Sequence, residues 1–311
     1  MNRENQFRKV YDNKKFKHVL QYKNSNFPLL VDIEITNHCN LKCLFCSRLI
    51  MKRSKGFMTE ILFKKIVDEC SQYNTPIRFT LWGEPFLHPK IIDFCRYVKS
   101  KILLLHITSN GLLIKESDMK SLINLGVDSI VFSFQGATKE QYEIMRNNNK
   151  YDRLKMNVLK MVELRKDKLK PFIHISSTMI NETEEELKKF IKYWENIVDS
   201  VGNGRTNLSR LSAYYKGKED FDFLREIETI KKGYRTCVEV WQKLNINWDG
   251  KISCCCADYD NLMMVGDMNK DTLYNIWNNS EELKLFRKLL DKKMFKSLSL
   301  CSNCYHTYEG F

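Results

Sequence analysis

From residue 30 to about residue 180, short apolar, β-branched runs alternate with longer segments of helical periodicity, and few architectures accept that rhythm. The short runs occupy residues 30–36, 77–81, 102–108, 128–134 and 172–178. The segments between and after them, 60–73, 91–100, 116–125, 139–166 and 182–197, carry Lys/Glu-rich helical faces. Such alternation builds an α/β fold, a parallel sheet with crossover helices, open or closed into a barrel. Buried parallel strands read as near-continuous apolar runs, as residues 130–134 do. The rhythm weakens after about residue 200, where Gly202-Asn203-Gly204-Arg205 reads as a loop and 214–232 as a charged helical connector. The expected organisation is an N-terminal extension (1–29), a core (30–215), a linker helix (216–236) and a small C-terminal module (237–311). That last module is small for a core of its own, so a metal staple would serve it.

Composition narrows the class further. With 43% apolar and 29% charged residues the chain reads as globular, not disordered. The first 30 residues are polar and basic with no signal-peptide core, and no run of about 18 apolar residues suggests a membrane span. A cytoplasmic protein without a membrane partner is therefore expected. The net charge of +13 (51 basic against 38 acidic residues) raises the prospect of an anionic partner, but the lysines are scattered and form no block. They read as solvated faces. Eleven cysteines in a reducing compartment point to metal and not to disulfides. Cys70 and Cys95 fall in helical patterns and read as ordinary buried residues.

Cys39-x3-Cys43-x2-Cys46 follows the first strand, at the edge where parallel α/β folds place their active sites. Three thiolates on one short loop suit three irons of a [4Fe–4S] cube, leaving the fourth open to an exogenous ligand. Zinc is the rival, with His38 as a badly placed fourth ligand; three inert buried thiols are the bland alternative.

This spacing, with Phe45 before the last Cys, resembles the radical S-adenosylmethionine (SAM) superfamily, and further motifs arrive in that family's order. Trp82-Gly83-Glu84-Pro85 resembles Gly-Gly-Glu-Pro with Trp in place of the first Gly. Thr108-Ser109-Asn110-Gly111 ends the third strand, Ser133-Phe134-Gln135-Gly136 the fourth, where Gln135 replaces the usual Asp, and Arg146 follows. The resemblance covers residues 30 to about 200 and implies a partial (β/α)6 TIM-like barrel. It also implies that SAM binds the open iron through its methionine amino and carboxylate groups. Gly83 and Glu84 would hold the ammonium and Arg146 the carboxylate. Ser133 would bond the ribose, Phe45 and Met179 would flank the adenine, and Ser109 and Asn110 would complete the pocket. Reductive cleavage of SAM would then yield a 5′-deoxyadenosyl radical.

The tail carries Cys237, the triplet Cys254-Cys255-Cys256, and Cys301-x2-Cys304. The stretch from Trp248 through Gly250-x4-Cys255 resembles the SPASM/twitch modules of that family. The resemblance implies an auxiliary [4Fe–4S] cluster on Cys237, Cys255, Cys301 and Cys304, of the twitch type, with structural zinc on the same thiolates as the rival. The choice of Cys255 rests on the family spacing. An auxiliary cluster of that kind would accept the second electron when a hydroxyl-bearing carbon of a sugar, aminocyclitol or nucleotide-sugar-like substrate is oxidised. Epimerisation at that carbon would instead need a hydrogen-atom donor, for which Cys254 and Cys256 are candidates. A phosphorylated or nucleotide-linked substrate would suit a basic rim, flavodoxin or ferredoxin would supply electrons, and oxygen-sensitive clusters imply an anaerobic or microaerobic host. The alternatives are a SPASM maturase acting on peptide or protein and a zinc-stapled nucleic-acid-binding protein; the latter would need a basic face with interleaved aromatics, which the sequence lacks.

Overall fold

A computed structural model describes residues 3–7, 25–179, 183–205 and 237–303. The expected linker helix (216–236) and Cys304 lie outside the described residues, as does the side chain of Met179.

Six parallel strands succeed one another: β1 (Leu30–Ile33), β2 (Ile77–Phe79), β3 (Leu105–Ser109), β4 (Ser129–Gln135), β5 (Phe172–Met179) and β6 (Ser200–Arg205). The helices among them are α1 (Glu60–Gln72), α2 (Ile91–Ser100), α3 (Glu116–Leu125), α4 (Lys139–Arg146), α5 (Tyr151–Arg165) and α6 (Glu184–Trp194). Capping sets several boundaries. Thr59 accepts from Leu62 N at the start of α1, and Thr138 and Thr183 form capping boxes with Gln141 and Glu186.

Two expectations need correction. The segment 139–166 is two helices and not one, because Asn147 takes the left-handed conformation and ends α4. Gly202–Arg205, expected as a loop, belongs to strand β6, paired with β5 from His174↔Ser200 to Met179↔Arg205. Gly202 fits because a Cβ there would lie 2.7 Å from the His174 ring, so the position takes a glycine however poor its strand propensity.

The C-terminal module extends the same sheet. Strand β7 (Lys243–Ile246) pairs in parallel with β1, followed antiparallel by β8 (Lys251–Ser253) and β9 (Met264–Asp267). The nine strands run β6-β5-β4-β3-β2-β1-β7-β8-β9, an open sheet without closure. Helices α7 (Leu273–Asn279) and α8 (Glu281–Asp291) complete the module. Glu69 of α1 binds it by accepting from the first two amides of α7, Leu273 N at 2.9 Å and Tyr274 N at 2.7 Å.

The strands are not apolar on both faces. Val31, Ile33, Ile77, Phe79, Leu105, Ile107, Ile130, Phe132, Ile173 and Ile175 face the helices in one core. The opposite, inner face carries Asp32, Arg78, His106 and Ser129, side by side in register. The loops that follow these strands open at their C-terminal ends, where the cysteine loop also lies.

Candidate SAM and iron–sulfur site

Loops after β1, β2, β3 and β4 meet at one end of the sheet. The β2 loop is locked onto the β1 loop: Glu84 N donates to His38 O at 2.8 Å, and Gly83 sits at φ 151° with Thr36 O only 2.1 Å from where a Cβ would stand. Only glycine fits there. Glu84 is fully buried, and its carboxylate accepts from Ser109 Oγ and Asn110 N (2.7 Å each) and from Phe86 N (3.1 Å). Burial pushes this carboxyl above the usual range against the pull of those three donors. Three of its roughly four acceptor positions are used, so the group ties the β2 and β3 loops together and leaves one position open for a cation.

Arg146, the last residue of α4, turns back over the cysteine loop. Its Nη1 lies 3.6 Å from Cys43 Sγ, Nη2 donates to Ser133 O at 2.7 Å, and its guanidinium stands 5.2 Å from the Phe45 ring centroid. Asn110 Nδ2 approaches Cys39 Sγ at 3.8 Å. Burial pushes the Cys39 thiol up to about 11 and raises that of Cys46 as well. Cys39, Cys43 and Cys46 thus share one loop with Phe45, Gly83, Glu84, Ser109, Asn110, Ser133 and Arg146 about it.

These residues fit an iron–sulfur cluster with SAM. N–H donors and a guanidinium are aimed at thiols that a cluster would hold as thiolates, and Arg146 Nε is buried without an acceptor among the described residues, as a carboxylate partner would require. Among the described residues no three His, Cys, Asp or Glu side chains converge on the position of a single metal ion. A cube gives each thiolate its own iron, so such convergence is not needed.

The second cysteine set is more deeply placed. Cys254 is fully buried in the apolar core with its Sγ toward Met263 O, while Cys255 and Cys256 are half-buried. Burial pushes the Cys255 thiol well up, with Cys256 and Cys237 adding to the rise; Cys301 adds to the rise at Cys254. Cys237 therefore neighbours Cys255, and Cys301 neighbours Cys254. The burial of Cys254 removes it as a hydrogen-atom donor to a substrate on the inner face. Cys256 differs, for its thiol accompanies Glu239, Lys243 and Asp32 of that face.

Sequence reasoning missed the clamp between the two cysteine loops. Arg53 forms a bidentate pair with the fully buried Glu34 and donates through Nε to Tyr259 O at 2.7 Å. Lys52 N and Arg53 N donate to Asp260 Oδ1 at 2.7 and 3.1 Å, and Trp248 Nε1 donates to Ser54 O at 3.2 Å. A glutamate directly after the first strand was its only trace in the sequence. A second missed network joins Asp32 to Arg78 in a bidentate pair and to Lys243, which also binds Glu239.

An open parallel α/β sheet with a three-cysteine loop, a SAM-shaped set of partners and a cysteine-rich annex defines a SAM-cleaving iron–sulfur enzyme. Sequence models agree: that of the Radical SAM superfamily matches residues 33–193, and that of SPASM, an iron–sulfur cluster-binding domain, matches residues 237–305. The chain belongs to the radical SAM superfamily and carries a SPASM module, so its cofactors are SAM and [4Fe–4S] clusters.

The chain is 25% identical to a tungsten-containing aldehyde ferredoxin oxidoreductase cofactor-modifying protein of Pyrococcus furiosus, over 87% of this chain and 86% of that one. It is 19% identical to the S-adenosyl-L-methionine-dependent 2-deoxy-scyllo-inosamine dehydrogenase of Niallia circulans, over 88% and 92%. Among solved structures, SuiB of Streptococcus suis bound to S-adenosylmethionine superposes with a TM-score of 0.66 at 20% identity (89% of this chain, 72% of that one). BtrN in complex with AdoMet and 2-DOIA superposes with a TM-score of 0.56 at 17% identity (91% and 96%). These last two likenesses show the fold. No helix among the described residues is long and apolar enough to cross a membrane.

Proposed function

We propose that this radical SAM enzyme oxidises a hydroxyl-bearing carbon of a small polyhydroxylated substrate, a sugar, aminocyclitol or nucleotide-sugar-like molecule. The observation that carries the reading is the polar inner face of the sheet. Asp32, Arg78, His106, Ser129, Lys243 and Asn245 occupy positions that a site for an apolar molecule would fill with Val, Ile or Leu. The full-length likeness to the Niallia circulans dehydrogenase supports the same class.

When bound, the cluster and SAM supply a radical that takes hydrogen from an unactivated C–H bond. The protein's residues do the rest. Arg146 and Glu84 orient the methionine end of SAM, and Gly83 lets the β2 loop approach the cysteine loop. His106 is held at about pKa 3 by burial, so it stays neutral while its ring nitrogens bond Ser129 Oγ (2.7 Å) and Thr108 Oγ1 (3.1 Å). Asp32 is kept ionised by Arg78 and Lys243, which holds these three side chains together on the inner face. Loss of a hydrogen atom, then a proton and an electron, turns H–C–OH into a ketone; the cysteines around Cys255 would hold the electron acceptor.

The reading is tested with ring substrates deuterated at the hydroxyl-bearing carbons. Deuterium in 5′-deoxyadenosine together with a ketone supports it. Deuterium transfer with an inverted centre and no ketone identifies an epimerase, and a Cys256→Ala variant that then loses the epimer assigns the donor. Turnover of peptides alone sinks the reading in favour of a maturase.

A further inference from the structure

We infer that Trp82 forms a wall of the substrate site and donates its indole N–H to an oxygen of a small hydroxylated ring, an inference that rests on the functional reading above. Trp82 stands where the family motif has its first glycine, directly before Gly83. The turn that delivers it is held from both sides. Leu81 takes φ 80°, a conformation that side-chain-bearing residues keep only when their surroundings impose it, and Gly83 is wedged against Thr36 O.

The indole meets the Tyr259 ring edge-on, with centroids 6.0 Å apart and an interplanar angle of 84°. Tyr259 follows the cysteine triplet, and its carbonyl is fixed by Arg53 Nε. Trp82 therefore stands between the loop that holds SAM and the loop of the second cysteine set. That is the place for a molecule that surrenders hydrogen on one side and an electron on the other.

Its Nε1 is buried and finds no acceptor among the described residues. A buried indole N–H is ordinarily paired, and one left unpaired is a reason to look for a ligand. A hydroxylated ring answers both demands: a C–H face against the indole and a hydroxyl or carbonyl oxygen for the N–H.

The test uses the anaerobically reconstituted full chain with SAM, and myo-inositol and 2-deoxy-scyllo-inosamine as probes, by equilibrium dialysis. Trp82→Phe keeps a ring and removes the N–H; Trp82→His keeps a ring N–H. The expected result is a Kd for a bound probe about fivefold higher in the Phe variant, the loss of one neutral hydrogen bond. The His variant should recover part of it, and the Kd for SAM should not change. Equal probe affinity in wild type and both variants overturns the inference alone. A loss confined to SAM affinity also overturns it, by assigning the N–H to SAM. Failure of the wild type to bind either probe overturns the functional reading and this inference together. Iron content equal to wild type shows that each variant has folded.

Discussion

Burial raises thiols in both cysteine sets, but the side chains that meet the sulfurs differ. Around Cys39, Cys43 and Cys46 the fold already aims donors at sulfur: Arg146 Nη1 at Cys43 and Asn110 Nδ2 at Cys39. In the second set Cys254 Sγ itself points at a carbonyl, Met263 O, and neighbouring thiols add to the rise at Cys255. Cys254 lies wholly in the core, burial pushes the Cys255 thiol well up, and the cation acting on Cys254 is Arg287, stacked on Trp277 and itself lowered to about 10 by burial. The first loop is pre-organised by neighbours from three other strands. For the second, Arg287 is the one cation acting on Cys254 among the described residues, so iron binding there is expected to be coupled to folding of the module.

The largest expected effect tests whether the sites are separable. A Cys39/Cys43/Cys46→Ala protein should make no 5′-deoxyadenosine and keep about four irons per chain, half of the roughly eight that two cubes contain. A Cys237/Cys255→Ala protein should also keep about four irons but still cleave SAM, without forming oxidised product. If either variant loses all its iron, the loops do not act independently. Chelation should then separate them by stability. Proteolytic cuts should appear first within residues 237–303, with 30–179 protected, because metal ligation is part of the folding energy of only the smaller module. Simultaneous digestion of both would break the contrast.

The first loop was legible in the sequence and the second only partly, for a physical reason. Cys39, Cys43 and Cys46 sit on one loop, so their sequence spacing is their geometry. Glu84, Ser109, Asn110 and Arg146 come from other loops, but each ends or follows a strand or helix whose rhythm was visible. The second set is scattered over more than sixty residues, and which cysteine of the triplet turns outward depends on packing behind β8. β6 was missed because the close approach of His174 selects glycine, and local propensity then reads as a loop. The clamp's link to the annex was invisible because Trp248, Tyr259 and Asp260, which meet the Ser54, Arg53 and Lys52 segment, lie some two hundred residues away in the sequence.

That clamp offers the next test, since it ties the two loops across the boundary. Glu34 is fully buried and its charge is met by Arg53. Burial pushes the Glu34 carboxyl up to about 7 even against Arg53, so Arg53→Gln leaves a protonated acid without its partner and should destabilise the protein by about 1–3 kcal/mol, the cost of an unsatisfied buried polar group. It also removes the donor to Tyr259 O. Denaturant titration measures the loss, and SAM cleavage uncoupled from product formation would show that the loops have come apart. Unchanged stability would mean that the β1–β7 pairing, Glu69 and the Asp260 and Trp248 contacts hold the modules together without the clamp.

The smallest effect concerns the other bridge, Asp32 to Lys243, which joins the first strand of the core to the first strand of the annex. Burial raises the Asp32 carboxyl, but Arg78 and Lys243 overcome it and hold the group at about 2. Its folded pKa therefore lies below the unfolded value of about 3.9, so its stabilisation is complete above about pH 5 and lost as pH falls through 2. A shift of this size corresponds to about 2 kcal/mol. Unfolding of the apoprotein, followed from pH 6 down to pH 3, should show the stability gap between wild type and Asp32→Asn narrowing below pH 4. A gap that stays constant across that range would mean that packing, not charge, carries the role of Asp32. The two modules would then depend on the Arg53 clamp for their electrostatic link, and the second loop would be more isolated from the first than the shared sheet suggests.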